Sequence, residues 1–128
     1  MKLKRDTKEK FTVLTPEDYI ISANMTEEIE KLCAYASYPI PHLVINMKMV
    51  VEMDTKAAEK FAQLQQTFYE KNCSLVICEL QPAVEAIFEE QKLLEMMNIT
   101  PTESEAWDIV QMEEIERELL SDFDTEEK

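Results

Sequence analysis

Residues 44–57 read Val44-Ile45-Asn46-Met47-Lys48-Met49-Val50-Val51-Glu52-Met53-Asp54-Thr55-Lys56-Ala57. The stretch opens as an apolar run and passes into a polar turn. A second pattern then begins with Ala57, Ala58, Phe61, Leu64 and Phe68. Apolar residues three and four apart mark one face of a helix. Asp54-Thr55 therefore stands where a strand hands over to a helix. That corner offers a hydroxyl beside a helix N-terminus, in a field that favours negative charge. It is the most chemically suggestive place in the chain.

The flanking elements extend this reading. His42-Leu43-Val44-Ile45-Asn46-Met47 and Ser74-Leu75-Val76-Ile77-Cys78 are nearly all apolar, as central strands covered on both faces should be. The helix between them spans about Thr55 to Lys71, with Asn72 as a stop in a chain that has no glycine to offer. Gln81-Pro82 opens a further helix, with proline at the permitted first turn and Ala83 or Val84, Ile87 and Phe88 facing inward. Asn98-Ile99-Thr100-Pro101 reads as a short last strand. The final helix starts near Thr102 or Ser104. Thr102 followed by Glu105 has the spacing of a capping box, and Ala106, Ile109, Val110, Ile115 and Leu119 form its apolar stripe.

Upstream, residues 1–10 are charged and without period, a mobile or edge-tethered lead-in. Phe11-Thr12-Val13-Leu14-Thr15 and Tyr19-Ile20-Ile21-Ser22 flank the turn Pro16-Glu17-Asp18 and predict an edge hairpin. A helix follows, capped by Asn24 or Thr26 and ending near Ser37, where Pro39 and Pro41 stop it. Strands alternating with helices indicate an α/β sheet with helical crossovers, made mixed by the hairpin.

Composition narrows the function. The chain has 128 residues, fits one domain, and is 45% hydrophobic. No apolar run approaches the roughly 20 residues of a membrane span. The basic Met1-Lys2-Leu3-Lys4-Arg5 has no apolar stretch after it, so a secretory signal is not expected and the cytoplasm is the expected location. The formal net charge of −14 repels phosphate backbones, which argues against nucleic acid and favours a basic protein partner or solubility alone. Cys33, Cys73 and Cys78 form no CxxC pair and read as buried thiols. His42 is the only histidine, so neither a metal site nor a Ser-His-Asp or Cys-His arrangement can be assembled, and no catalytic residue or cofactor is expected. The absence of glycine removes the phosphate-cradling glycine loops. Phe61, Phe68 and Phe88 are expected in the core, Trp107 over a sheet edge or a dimer contact, and Met49-Val50-Val51 as either a contact loop or a buried turn.

Taken together, Val44-Ile45-Asn46-Met47, Met53-Asp54-Thr55 at a helix start, Ser74-Leu75-Val76-Ile77-Cys78 and Pro82-Ala83-Val84-Glu85-Ala86-Ile87-Phe88 resemble the STAS domain, in particular the bacterial anti-sigma factor antagonists. The resemblance implies a single STAS-like α/β domain, with a mixed sheet of about four to five strands and four helices packed mainly on one side. It places that domain over residues 10–121, after a charged lead-in (1–9) and before an acidic tail (122–128).

It also implies a non-enzymatic protein-binding module in transcription or stress signalling. A Ser/Thr kinase of the anti-sigma type would phosphorylate Thr55, and a PP2C-type phosphatase would restore it. Asp54, Lys56, Asn24 and Glu59 then become partner-facing positions. Lys56 and Glu59 stand in the segment where the family has small residues and glycines, and Asn24 stands near a loop that often carries Asp. A homodimer stays open, as do two alternatives: a constitutive STAS scaffold in a signalling complex, and a small-ligand-binding STAS domain. The residues alone favour Asp54 or Thr55 as an ordinary N-cap; the resemblance brings the switch level with that reading, and one residue can serve both purposes.

Overall fold

The computed structural model describes residues 3–32 and 42–126. The expected end of the first helix near Ser37, together with Cys33, Pro39 and Pro41, lies outside the described residues. The strands are β1 (Leu3–Thr7), β2 (Thr12–Pro16), β3 (Ile20–Ile21), β4 (Leu43–Asn46), β5 (Glu52–Met53), β6 (Leu75–Cys78) and β7 (Ile99–Thr100). The helices are α1 (Thr26–Leu32), α2 (Thr55–Glu70), α3 (Pro82–Glu90) and α4 (Glu103–Glu126). A five-stranded mixed sheet runs in the order β1-β2-β4-β6-β7, and β3 pairs with β5 in a small sheet of its own.

The period of two along each strand sorts side chains to the two faces. Val13, Val44 and Val76 are in register and face α4, with Phe11, Cys78, Ala106 and Val110. Their neighbours Leu14, Ile45 and Ile77 are also in register and face the other way, into a larger core with Phe61, Phe68, Val84 and Phe88. That larger core is closed by α1, α2 and α3, so among the described residues three helices cover one face and α4 covers the other. Every residue of β4 and β6 is buried, because both faces are covered.

Two features differ from the sequence reading. First, β3 does not form a hairpin with β2. Both edges of β2 are occupied, by β1 antiparallel and by β4 parallel, so β3 pairs in parallel with β5 instead. The antiparallel component of the sheet comes from the charged N-terminal strand β1, turned through Lys8 N–H donating to the Phe11 carbonyl at 2.8 Å. Second, the apolar stripe of α4 covers the sheet only as far as Val110. Ile115 and Leu119 are 56% and 54% exposed, because the helix outruns the four-residue central strands beneath it. Its backbone stays helical through the acidic stretch to Glu126.

Without glycine, positive φ among the described residues falls to Asn72, Glu79 and Lys92. Asn72 follows α2 as its left-handed stop, the role asparagine fills at least cost. Pro82 stands in the first turn of α3, and Thr102 Oγ1 accepts from Glu105 N–H at 3.2 Å to cap α4. Trp107 packs against Phe11 with ring centroids 5.4 Å apart, under Lys8 Nζ, at the β1–β2 end of the sheet.

His42 is built into this frame. Its Nδ1 accepts the Ser74 N–H at 3.0 Å, which requires a ring unprotonated at that nitrogen. Burial, and then the Arg117 charge, hold its pKa below the usual imidazole value, with Glu114 and Glu113 opposing. In the pH window below about 6.5 the unfolded chain binds the proton more readily than the folded one. Stability should therefore fall as pH drops from 6.5 through the folded value. Urea midpoints measured at pH 7 and pH 5 should show a larger acid loss in the wild type than in His42→Gln. Equal losses would contradict this account.

Candidate functional site

The C-terminal ends of the parallel strands and the first turns of the helices meet at one end of the molecule. Here β4 leads through residues 47–51 into β5 and then α2. Val50 N–H donates to the Met47 carbonyl at 3.0 Å and closes a turn, with Val50 buried beneath it. Val51 and Glu52 N–H both donate to the Tyr19 carbonyl, at 2.7 and 3.1 Å. Ile20–Ile21 then run parallel to Glu52–Met53, with Ile21 and Met53 in the core. Within the Met49-Val50-Val51 loop, Val50 is the buried turn, one of the two expectations, while Val51 is 46% exposed.

Asp54 is the backbone N-cap of α2, since its carbonyl accepts from Ala58 N–H at 3.1 Å. Its carboxylate, however, does not cap α2. Oδ2 accepts the Ala23 N–H at 2.9 Å, at the start of the 3-10 turn Ala23–Met25. Asp54 N–H in turn donates to the Ile21 carbonyl at 3.0 Å. One acidic residue therefore ties the β3 end of the chain to the start of α2. An acid placed at a turn's N-terminus meets free amides and a favourable dipole field.

Thr55 is the first residue of α2 and is partly exposed. Lys56 and Glu59 are exposed, while Ala57 and Ala58 between them are buried in the core. Asn24 is exposed within the 3-10 turn, one residue from the Ala23 amide that Asp54 holds. The structure thus brings Asn24 beside the Asp54-Thr55 corner. Lys60 pairs with Glu30 at 3.0 Å and fastens α2 to α1 behind it.

Pattern reading misses the surroundings of this corner. Tyr19 and Ile20 are 64% and 52% exposed and join Val51 as an apolar surface beside it. Read as half of a hairpin, Tyr19-Ile20-Ile21-Ser22 would have buried alternate residues. The exposed apolar loop at Val51 was the one signal available in the sequence.

A second polar junction holds the loop's entrance. Asn46 is 2% exposed, and its Nδ2 donates to Glu79 Oε2 at 2.9 Å and to Glu103 Oε1 at 3.2 Å. Its Oδ1 accepts the Lys48 N–H at 3.0 Å, and Gln81 Nε2 donates to the Lys48 carbonyl at 2.7 Å. The Asn46 amide cross-links the ends of β4 and β6 with the start of α4, and Gln81 ties the approach to α3 to the same loop through Lys48.

Among the described residues, no three of His, Cys, Asp and Glu come together as metal ligands. The Cys78 thiol is pushed up to about 12 by burial and then by Glu79 and Glu103, and burial also raises Cys73. Thiols held in that way stay protonated near neutral pH and are poor nucleophiles. Among the described residues no helix is long and apolar enough to cross a membrane.

A mixed five-stranded sheet with α1, α2 and α3 on one face and α4 on the other defines an α/β domain. The STAS domain model matches residues 2–106, and the chain belongs to that family. No curated protein matches the sequence. Among solved structures, a putative anti-sigma factor antagonist from Thermotoga maritima aligns with a TM-score of 0.74 at 12% identity, covering 85% of this chain and 94% of that one. The Bacillus cell fate determinant SpoIIAA in its phosphorylated form gives 0.61 at 15% identity, with 85% and 99% covered. A chain from the molecular architecture of the stressosome, a signal integration and transduction hub, gives 0.63 at 18% identity, with 84% and 96% covered. At such identities the likeness is one of fold.

Proposed function

We propose that this chain is a non-enzymatic, anti-sigma-antagonist-like binding module of the bacterial cytoplasm, switched by phosphorylation of Thr55. A partner Ser/Thr kinase supplies ATP and transfers the phosphoryl group, and a PP2C-type phosphatase removes it. The observation that carries the reading is the pairing of a partly exposed threonine at the first residue of α2 with the exposed apolar residues Tyr19, Ile20 and Val51 beside it. Apolar residues exposed together at one place mark contact surfaces. A known SpoIIAA structure in a phosphorylated form is consistent with it.

The chemistry of the corner supports the switch. Because Asp54 turns its carboxylate to Ala23, it leaves the first-turn amides of α2 without a side-chain cap. A phosphate on Thr55 meets those amides, and Lys56 lies next to it. It adds about −1.5 to −2 charges at neutral pH to a contact surface that was part apolar. Partner release follows from the cost of desolvating that charge, with little change of fold. Asp54, Lys56, Asn24 and Glu59 form the polar rim that the partner reads.

The test is a phosphate-affinity gel of the chain incubated with the kinase and Mg-ATP, run beside Thr55→Ala. Loss of the shifted band in Thr55→Ala is expected, and an unchanged band would remove Thr55 as the acceptor. Pull-down with Thr55→Asp should weaken partner capture by at least about tenfold, a cost of roughly 1.4 kcal/mol. Undiminished capture would favour the constitutive scaffold.

A further inference from the structure

The helix α4 is fastened to the body only along part of its length. Ala106 and Val110 are buried against the sheet, and Arg117 Nη2 donates to Ser74 Oγ at 3.1 Å. On another face, Met112, Ile115 and Leu119 are 58%, 56% and 54% exposed. Spacings of three and four put them in one line along the helix. Three large apolar side chains, each more than half in water and aligned, amount to a few hundred Å² of apolar surface, the scale that marks interaction sites.

The charge around the line selects its occupant. From Glu103 to Leu119 the helix carries Glu103, Glu105, Asp108, Glu113, Glu114, Glu116 and Glu118 against the single cation Arg117. With Met112 and Leu119 at a and Ile115 at d of a heptad, Glu116 and Glu118 take the flanking e and g positions, which set partner choice. A second copy of this chain would bring the same acidic flanks against each other, and like charges there repel. We infer that the Met112-Ile115-Leu119 line of α4 docks a basic amphipathic helix from a different protein, with apolar residues in its seam and Lys or Arg at its flanks. This surface is carried by α4, which lies on the opposite face of the sheet from α2. The inference stands whether or not Thr55 is modified.

The probe is a fluorescein-labelled synthetic helix of three heptads with Leu at a and d and Lys at e and g, titrated with the full chain and read by fluorescence anisotropy. A twin with Glu at e and g is the charge control. The Lys peptide should bind, the Glu peptide should not, and the triple variant Met112→Ser, Ile115→Ser, Leu119→Ser should bind the Lys peptide at least tenfold more weakly. All three positions are exposed and the variant leaves net charge unchanged, so circular dichroism should show its helix content retained. Equal binding by the variant would mean that charge alone attracts the peptide, and would overturn the inference. Absence of binding by the wild type would overturn it too. So would a wild-type dimer in sedimentation equilibrium that the triple variant abolishes, because the occupant would then be a second copy.

Discussion

Phe68→Ala is expected to destabilise the domain by about 3–5 kcal/mol, the usual cost of truncating a fully buried phenylalanine. Phe68 is 1% exposed and lies in the larger core with Phe61, Leu75 and Phe88. It sits in the last turns of α2, and its carbonyl accepts the Cys73 N–H at 2.8 Å where the chain turns toward β6. The ring is closed in by sheet and helices, so the site cannot collapse to fill the space. Domains of this size are stable by only about 5–15 kcal/mol, so the change removes about a fifth of the total or more. With a urea slope of about 1–3 kcal/mol/M, the midpoint should fall by about 2 M. A fall of less than about 0.5 M would show that α2 repacks and that the core is looser than it looks. Because α2 also carries Thr55 at its other end, any partner binding should weaken along with stability.

The legible parts of this fold share one property: local pattern and tertiary environment agree in them. The strands β4 and β6 are apolar throughout and are buried on both faces. The spacing of Ala57, Ala58, Phe61, Leu64 and Phe68 is the buried face of α2, and Val84 and Phe88 are that of α3. The strand-to-helix corner at Asp54-Thr55 follows from those two patterns meeting.

The other elements depend on what the chain does far away in sequence. Leu3–Thr7 carries three charges and is almost wholly exposed, as an edge strand can be, so no alternation announces it. The pairing of β3 with β5 depends on both edges of β2 being taken, which only the assembled sheet decides. Ile115 and Leu119 satisfy a helical stripe perfectly well, but a stripe says nothing about where the covering surface stops. The same limit hides Tyr19 and Ile20: apolar alternation predicts burial, and the surface beside Thr55 is the place where that inference fails. The Asp54 carboxylate was legible as a cap, but its choice of Ala23 over its own helix was not.

Asn46→Asp should be the most damaging polar change in the chain. Both hydrogens of the Asn46 amide are used, one toward Glu79 and one toward Glu103, and the residue is 2% exposed. Replacing the amide with a carboxyl of the same shape turns two donated hydrogen bonds into a buried meeting of acids. An uncompensated buried charge costs about 3–5 kcal/mol. Burial and the two neighbouring carboxyls both favour the neutral form, so the introduced acid has a folded pKa above its unfolded value of about 3.9. The folded variant then holds a proton that the unfolded one has released, and its stability falls as pH rises from about 3.9 through the folded value. The stability gap between wild type and variant should therefore be largest near pH 7.5 and narrow toward pH 4. Adding Glu79→Gln to the variant restores a donor and removes a charge, so it should recover part of the loss near neutral pH. A gap that is the same at both pH values, with no rescue, would place the cost in lost hydrogen bonds rather than in charge. The consequence reaches the site as well. Asn46 Oδ1 holds the Lys48 N–H at the entrance of the loop whose far end Asp54 ties to Ala23. Thr55 is presented by a loop fastened at both ends through side chains, and loosening the Asn46 end should raise amide hydrogen exchange at Met49 to Val51 before it affects the central strands.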